Sequence, residues 1–454
     1  MALTDAKVPL ARRPLFRMPA RVQAWLAGEH APTQRMAGAA FIIRVMSAAI
    51  VFLSQILLAR WMGGFEFGVY VMVSTWLLVA SELSHLAFPL TAQRFIPEYT
   101  QLGALDRLRG FLTGSRWVAF GTATAVSLVG AFIVRLLETS LDRHAIMPLY
   151  LACVAMPFYS FSFMLDGIAR SYNWIGLALV PHSILRPIGL LLLIGAMYAL
   201  GFPVDATATI AALAIAIWIM TLVQLVMLER RLATAVPSGP KTYDFKAWFA
   251  TSLPIMTMWG FYTLLIYTDV LVLQQFRGPE EVAHYYAASK TLALVAFIYF
   301  AVAGTAAHRF TAYHVAGDKE GLAEFAAKSV RWIFWPSLAA IVLILVLGKP
   351  TLWLFGPKFV EAYPFMFVLA LGFIARAAVG PAERLLNMVG QQRLCALAYA
   401  TAFVVNLTGC IVLAGPYGGM GVAIATAAAF VVESGLLFLI AKRRLGLHLL
   451  IWRP

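Results

Sequence analysis

The sequence predicts an all-α, polytopic membrane protein whose twelve transmembrane helices form two six-helix bundles. Three observations predict this fold. The 454 residues are 61% hydrophobic and only 12% charged, whereas soluble domains are about 45–50% apolar and about 25% charged. The apolar residues fall into blocks of about 20, the length at which a helix spans a bilayer. The first half of the chain also resembles the second at an offset of 215 residues.

The predicted spans follow one another along the chain with short polar connections. The first six lie at 36–59, 67–90, 111–134, 146–168, 176–200 and 205–228. The last six lie at 247–273, 283–306, 327–348, 361–386, 393–414 and 418–441. Prolines and a glycine interrupt the polar, basic stretch between the two sets, as expected for a linker. The predicted organisation is therefore a basic N-terminal segment (1–35), a bundle (36–228), a linker (229–246), a second bundle (247–441) and a basic tail (442–454).

The positive charge is concentrated on one side of the predicted membrane. The net charge is +14. The segments on the side of the N-terminus hold 25 Lys and Arg residues, the opposite loops hold six, and four lie within spans. This bias follows the positive-inside rule and predicts that both termini are cytoplasmic. We therefore attribute the basic pI to topology and anionic lipid headgroups, not to nucleic acid. Residues 1–35 carry no recognisable cleavable signal and predict either an interfacial helix or a disordered basic tail.

The repeat contains polar residues, which hydrophobic bias alone does not explain. Ten identities occur without a gap in the 55 positions 63–117 and 278–332. They pair Gly63 with Gly278, Glu66 with Glu281, Tyr70 with Tyr285, Ser74 with Ser289, Leu77 with Leu292, Ala92 with Ala307, Arg94 with Arg309, Phe95 with Phe310, Arg116 with Arg331 and Trp117 with Trp332. The offset carries the first span onto the seventh, so the repeats are parallel. Such repeats favour a transporter whose halves rock around a shared cavity; a channel or a duplicated membrane enzyme is the alternative.

Arg94 and Arg309 lie where the second span of each repeat meets the cytoplasm. Each precedes a polar stretch that ends in an Arg-Trp pair at the start of the next span. Interfacial anchors have this pattern. A hinge or a cytoplasmic gate is the functional alternative.

Ionisable residues inside spans usually face a cavity or a partner, because their burial in lipid is unfavourable. Guanidinium and ammonium groups from both halves would suit a diphosphate in a central cavity. A buried carboxylate could couple transport to an ion gradient. Internal ion pairs that only fix helix packing, such as Arg44 with Glu82, are the structural alternative. The candidate cations are Arg44, Arg186, Lys290 and Arg376, and the candidate coupling acids are Glu82, Asp269, Glu433 and Asp166.

Motifs of soluble enzymes do not occur in the sequence. We find no Walker A motif, no HExxH and no CxxC, so the chain is expected to be neither an ATPase nor a metalloenzyme. Cys153, Cys395 and Cys410 lack the spacing of metal ligands. We expect no enzymatic activity, no metal and no cofactor.

Four stretches of the sequence resemble a known family. They are LARWMGGFEFGVYVMVSTW (58–76), AQRFIPEY (92–99), LFGPKFVEAYP (354–364) and LLNMVGQQRL (385–394). They are similar to the polysaccharide-transport branch, which includes O-antigen flippases of the Wzx type, of the multidrug/oligosaccharidyl-lipid/polysaccharide (MOP) exporter superfamily. The resemblance covers most of residues 36–441.

The resemblance implies a MATE-like fold, in which two six-helix bundles face each other in a V. It implies a flippase in the bacterial inner membrane that moves undecaprenyl-diphosphate-linked oligosaccharide to the periplasmic leaflet. A proton or sodium gradient would drive it, and the polymerase machinery would be a partner. Related lipid II flippases place arginines on spans 1 and 8, the spans of Arg44 and Lys290 here. The alternatives are a cation-coupled multidrug exporter of the same fold and, less favoured, a membrane glycan ligase or polymerase.

Overall fold

The computed structural model describes residues 31–451, with the side chains of 43–304, 306 and 309–451. These residues are almost entirely helical. The N-terminal half holds α1 (Ala31–Ser84), α2 (Phe88–Gln101), α3 (Leu105–Leu137), α4 (Arg143–Ser171), α5 (Ile175–Val180), a π-helical turn (Pro181–Leu185), α6 (Arg186–Ala199) and α7 (Ala206–Ala235). The C-terminal half holds α8 (Phe245–Phe276), α9 (Pro279–Ala293), α10 (Ala296–Val315), α11 (Lys319–Val346), α12 (Gly348–Phe355), a 3₁₀ turn (Pro357–Ala362), α13 (Tyr363–Val379), α14 (Ala382–Met388) and α15 (Gln392–Leu445).

Two of the helical segments each contain a break at a glycine. Within α1, Gly63 has φ 78° and ψ 169°, and within α15, Gly418 has φ 55° and ψ −136°. Glycine adopts such angles without the penalty that a Cβ imposes. Across Gly418, the Thr426 hydroxyl lies 3.4 Å from the Asn406 amide oxygen. The two parts of α15 therefore pack side by side as an antiparallel pair.

The ten candidate membrane spans among the described residues agree with the twelve that the sequence predicts. Each of the ten is long and apolar enough to cross a bilayer. Two of them, Ile43–Gln101 and Gln392–Leu445, contain 59 and 54 residues. Each therefore covers two predicted spans. The chain is a multi-pass membrane protein.

One carboxylate in each half holds the start of that half's sixth span. Glu66 accepts a hydrogen bond from the backbone N–H of Ala206 at 2.9 Å. Glu281 accepts one from the N–H of Gly419 at 2.6 Å. An acceptor at a helix N-terminus satisfies an otherwise unpaired N–H and complements the helix dipole. Because Glu66 and Glu281 are equivalent in the repeat, these contacts confirm the duplication in three dimensions.

The hydrophobic core has the shape of a V. One cluster draws on both halves, including Phe67 and Tyr70 from the first and Tyr285 and Phe359 from the second. At the opposite end, the core divides into one cluster built almost wholly from α2 to α7 and another built from α8 to α15. We call the joined end, which holds Gly63 and Gly418, the outer end, and the divided end the inner end.

The outer seam, formed by Arg60, Phe67 and Gly68 against residues 279–286 and 353–359, joins the two halves. Arg60 donates hydrogen bonds of 2.7 Å to the carbonyl oxygens of both Trp353 and Leu354. These carbonyls end α12, so the guanidinium lies at the negative end of that helix. The sequence predicted a loop here, between spans 9 and 10. The segment is helical instead, and it receives this contact from the other half.

Four of the predicted spans are interrupted. Span 2 breaks between α1 and α2, where Leu86 and Ala87 have φ values of 53° and 56°. Span 5 contains the π-helical turn just before Arg186-Pro187, because Pro187 has no N–H with which to continue the helix. Spans 8 and 10 break after α9 and at Gly380. Interrupted backbone at membrane depth is tolerated where it is buried or lines a cavity.

The linker packs on α3. Residues 236–244 separate α7 from α8, within the predicted 229–246. Arg109 donates hydrogen bonds to the carbonyls of Pro237 and Pro240. Most of the predicted N-terminal segment 1–35 lies outside the described residues. Of the predicted tail, Leu447 and Leu449 are buried against the C-terminal half.

The substitution Gly68→Ala should destabilise the outer seam. A Cβ at Gly68 would overlap the backbone carbonyl of Pro279 in the other half. Overpacking of this kind costs about 1–3 kcal/mol, so the free energy of unfolding in detergent should fall by that amount. Gly64→Ala is the matched control, since its nearest neighbour is the flexible side chain of Glu280. Equal stabilities of the two variants would contradict the close contact.

Candidate functional site

Two of the predicted cations, one from each half, lie over neighbouring tyrosine rings. The Arg186 guanidinium carbon is 4.5 Å from the centre of the Tyr159 ring. Lys290 Nζ is 4.9 Å from the centre of the Tyr267 ring and 5.1 Å from that of Tyr286. Tyr159 lies close enough to Tyr267 and Tyr286 to interact with them electrostatically. Arg186 and Lys290 therefore each lie over a member of one tyrosine cluster, which consists of Tyr159, Tyr267 and Tyr286.

A second group of cations also draws on both halves. Arg44 interacts electrostatically with Arg170 of α4, with Arg384 of α14 and with Asp166 of α4. Asp166 forms two hydrogen bonds with Arg170, at 3.1 and 2.7 Å. Arg44 and Arg384 have no ion pair among the described side chains. We call Arg44, Arg170 and Arg384 the arginine cluster.

Sequence reasoning missed Arg384. It lies within the predicted tenth span, where a straight helix would have continued. The preceding Gly380-Pro381 pair could have revealed the position of Arg384, since glycine followed by proline usually ends a helix. Because the chain breaks there, Arg384 lies on a separate short helix, α14.

Arg376 is bound to Glu433 and is not a free cation. Two hydrogen bonds of 2.9 and 3.0 Å join its guanidinium to the carboxylate. The guanidinium carbon also lies 3.9 Å from the centre of the Phe430 ring. These contacts fix α13 to α15 within the C-terminal half. The alternative that some charges form internal pairs therefore holds for Arg376, although Arg44 does not pair with Glu82.

Glu82 joins the two halves next to the break in span 2. Its Oε2 accepts a hydrogen bond of 3.1 Å from Trp259 Nε1 of the C-terminal half. The same oxygen lies 3.3 Å from His85 Nε2. His85 Nδ1 accepts a hydrogen bond from the N–H of Ala87, so His85 Nε2 carries the proton that it shares with Glu82.

Asp269 is a buried carboxylate without a cationic contact among the described residues. It is 3% exposed. It accepts hydrogen bonds of 2.8 Å from the Tyr285 hydroxyl and from the N–H of Val270. Tyr285 also lies 3.4 Å from the Thr426 hydroxyl. Asp269 thus links α8, α9 and α15 in one polar network.

Arg94 and Arg309 both lie at the inner end with exposed side chains. Arg94 lies 3.6 Å from Glu98, and Arg309 lies over the Phe325 ring at 5.4 Å. The neighbouring Trp117 and Trp332 are 70% and 50% exposed, as expected for side chains that face lipid. The choice between an anchor and a gate stays a prediction.

Two cavities lie beside the charged and aromatic side chains described above. A cavity of about 440 Å³ lies mainly within the C-terminal half, with Leu90 of the other half also in its wall. Its polar and aromatic lining includes Trp259, Tyr262, Tyr299, Arg376, Glu383, Arg384, Asn387, Tyr399 and Glu433. An almost wholly apolar groove of about 860 Å³ lies between spans 2 and 3 of one half and spans 7 and 11 of the other. We call these the inner cavity and the lateral groove.

Solved structures show the fold to be that of the MOP superfamily transporters. An inward-facing MATE multidrug resistance transporter of that superfamily superposes with a TM-score of 0.72 and 13% identity, over 89% of this chain and 98% of the other. The lipid II flippase MurJ, in an inward closed conformation, gives 0.69 and 13%, over 88% and 87%. A MOP transporter from Pyrococcus furiosus, described as having a binding pocket of reversed polarity, gives 0.66 and 13%, over 95% and 99%. No family model and no curated protein sequence matches the chain.

The pair between Arg376 and Glu433 predicts a strongly non-additive effect on stability. Arg376→Met should lower the free energy of unfolding by about 3–5 kcal/mol, because it leaves a buried carboxylate unpaired. The double variant Arg376→Met/Glu433→Leu should recover most of that loss, because it removes both charges. Denaturant unfolding of the four members of the cycle in detergent measures the coupling. Additive losses would show that the two residues act independently.

Proposed function

We propose that the chain is a lipid-linked oligosaccharide flippase. It moves undecaprenyl-diphosphate-linked glycan from the cytoplasmic to the periplasmic leaflet of the bacterial inner membrane, with both termini in the cytoplasm, and supplies surface polysaccharide synthesis such as that of O-antigen. The observation that carries the proposal is a set of four cations, two from each half, that have no ion pair with any side chain that the structure describes. Arg44 and Arg186 come from the first half, and Lys290 and Arg384 come from the second.

These cations suit a diphosphate. Guanidinium groups present forks of donors that match phosphate oxygens, and an ammonium group adds a compact charge. A diphosphate bound between cations of both halves would stabilise the conformation in which the two halves are close together. Movement of the halves would then carry the diphosphate across the membrane.

The architecture supports alternating access. The halves meet at the outer seam, and at the inner end their cores are separate except where Trp248, at the start of α8, packs into the first half. Parallel six-helix repeats of this kind commonly move against each other around a site at the midplane. Among proteins of similar fold, one is described as a lipid II flippase and others as multidrug transporters.

The lateral groove would hold the prenyl chain. Its walls include Trp76, Leu83, Met256, Leu264 and Phe403, and they come from both halves. A hydrocarbon chain in this groove stays in an apolar environment while its diphosphate crosses the polar interior. The groove would thus hold the apolar prenyl chain apart from the charged diphosphate.

A multidrug exporter of the same fold is the second candidate. Glu82 and Asp269, together with the tyrosine rings, favour it, because cations bind carboxylates and aromatic faces. Four cations without ion pairs disfavour it, since they would repel a cationic drug. The polarity of the pocket is thus the property that distinguishes the two candidates.

We further propose that a proton or sodium gradient drives the cycle and that Asp269 is the coupling carboxylate. Glu433 and Asp166 are each bound by an arginine, and Glu82 is bound by Trp259. Among the described residues, Asp269 accepts hydrogen bonds from neutral donors, and Lys290 acts on it electrostatically without forming an ion pair. Asp269 is therefore the candidate carboxylate that no arginine binds directly.

A flipping assay in proteoliposomes tests whether lipid-linked oligosaccharide is the substrate. A fluorescent undecaprenyl-diphosphate oligosaccharide should cross the bilayer with the wild type. The double variant Arg44→Ala/Lys290→Ala should lower the rate at least about tenfold, since each lost charged hydrogen bond contributes about 1.5–3 kcal/mol. Arg135→Ala, at an exposed ion pair with Glu138 on the outer side, is the matched control. Normal flipping by the double variant would refute the cationic site. Export of a cationic dye by an otherwise inert wild type would favour the drug exporter.

Asp269→Asn should abolish the response to an ion gradient. The amide cannot bind and release a proton, and it carries no charge for sodium. Flipping should therefore proceed at one rate with and without the gradient, while the wild type accelerates when either the proton or the sodium gradient is imposed. Asp142→Asn, which replaces an exposed outer N-cap that accepts from His144, is the control. Acceleration of Asp269→Asn by the gradient would rule out this assignment.

A further inference from the structure

The inner cavity has two buried polar atoms that lack partners among the described residues. Arg384 Nε is a hydrogen-bond donor, and Asn387 Oδ1 is an acceptor. Both residues lie on α14, three positions apart, and therefore share one face of that helix. Both line the cavity. Buried polar atoms without partners are unfavourable, so this wall is suited to a ligand that both donates and accepts.

A hydroxyl group meets this requirement. It donates one hydrogen bond and accepts two, whereas an ammonium group only donates and a phosphate oxygen only accepts. A ligand with several hydroxyls could satisfy Arg384 Nε and Asn387 Oδ1 together.

The charge of the cavity selects against an ionic ligand. Its lining residues include two arginines and two glutamates, which balance. Arg376 and Glu433 neutralise each other directly. Glu383 accepts hydrogen bonds from the Tyr299 hydroxyl at 3.0 Å and from the Asn387 amide. The charged side chains of Arg376, Glu433 and Glu383 are therefore held in place by hydrogen bonds within the cavity wall.

Aromatic rings form much of the remaining wall. Trp259, Tyr262, Tyr299 and Tyr399 all line the cavity. Flat apolar faces beside oriented polar groups are the arrangement that binds the alternating C–H and O–H surfaces of a sugar. The volume of about 440 Å³ lies within the range of about 300–1,000 Å³ that ligand pockets occupy.

We propose that the inner cavity is a subsite for the neutral glycan of the lipid-linked substrate. This inference rests on the proposed function and assigns the part of the substrate that the cations do not bind. Arg384 belongs both to the arginine cluster and to the cavity wall. A diphosphate at the arginine cluster would therefore place its attached sugar at the opening of the cavity.

Two substrates and one free sugar test the subsite. The lipids are undecaprenyl diphosphate with a single N-acetylglucosamine and the same anchor with a neutral tetrasaccharide. The wild type should have a lower KM for the tetrasaccharide lipid. Asn387→Leu should raise the KM of the tetrasaccharide lipid about tenfold, because the site loses a hydrogen bond to a sugar hydroxyl and distinguishes the two lipids less well. The KM of the monosaccharide lipid should stay unchanged. Gln392→Leu, at an exposed position beyond α14, should behave as the wild type.

Saturation-transfer NMR with the free tetrasaccharide, which has neither lipid nor diphosphate, gives a second readout. The wild type should show contact signals that Asn387→Leu loses. Equal KM values for the two lipids in the wild type, or an equal rise for both in Asn387→Leu, would overturn the subsite and leave the flippase standing. Sugar binding that depends on Asn387, with no flipping of either lipid, would support the subsite and refute the flippase. Binding of ethidium in place of the sugar would identify a cation site and overturn the proposal.

Discussion

The contact between the two halves at the outer seam is the constraint on which the other features depend. At Gly68 no side chain separates the helix from the backbone of Pro279, and Arg60 binds the carbonyl end of α12. Because the halves are this close at one end, their cores diverge toward the other. The breaks in spans 2, 5, 8 and 10 then lie beside a cavity or the junction of the halves, where irregular backbone and charged side chains can be accommodated.

The intramembrane charges divide according to their position relative to this junction. Arg376 pairs with Glu433, and both belong to one half. Arg186 and Lys290 come from different halves and contact tyrosine rings. A charge that is paired within one bundle stays paired when the bundles move. In the transport cycle that we propose, a charge at the junction changes its surroundings as the bundles move, and it can therefore distinguish a loaded from an unloaded state.

The sequence was sufficient to predict the helical fold and the duplication, because span length, hydropathy and repeated residues such as Glu66 and Glu281 are properties of local sequence. It did not reveal which charges pair, since pairing depends on how each helix is rotated about its axis. The helix α12 was predicted as a loop because its eight residues are too short for a periodic signal. The left-handed angles of Leu86 and Ala87 have no local cause, and surrounding contacts impose them. Arg384 was missed because Gly380 and Pro381 lay in an apolar stretch.

The matching carboxylate contacts of Glu66 and Glu281 have a mechanical consequence. Each joins the turn between two spans to the first residues of a third, so three chain segments are tied together at each outer corner. Each contact lies within a single half, whereas the seam between Gly68 and Pro279 lies between the halves. Separation of the halves at the outer end would therefore break the seam and leave both corners intact.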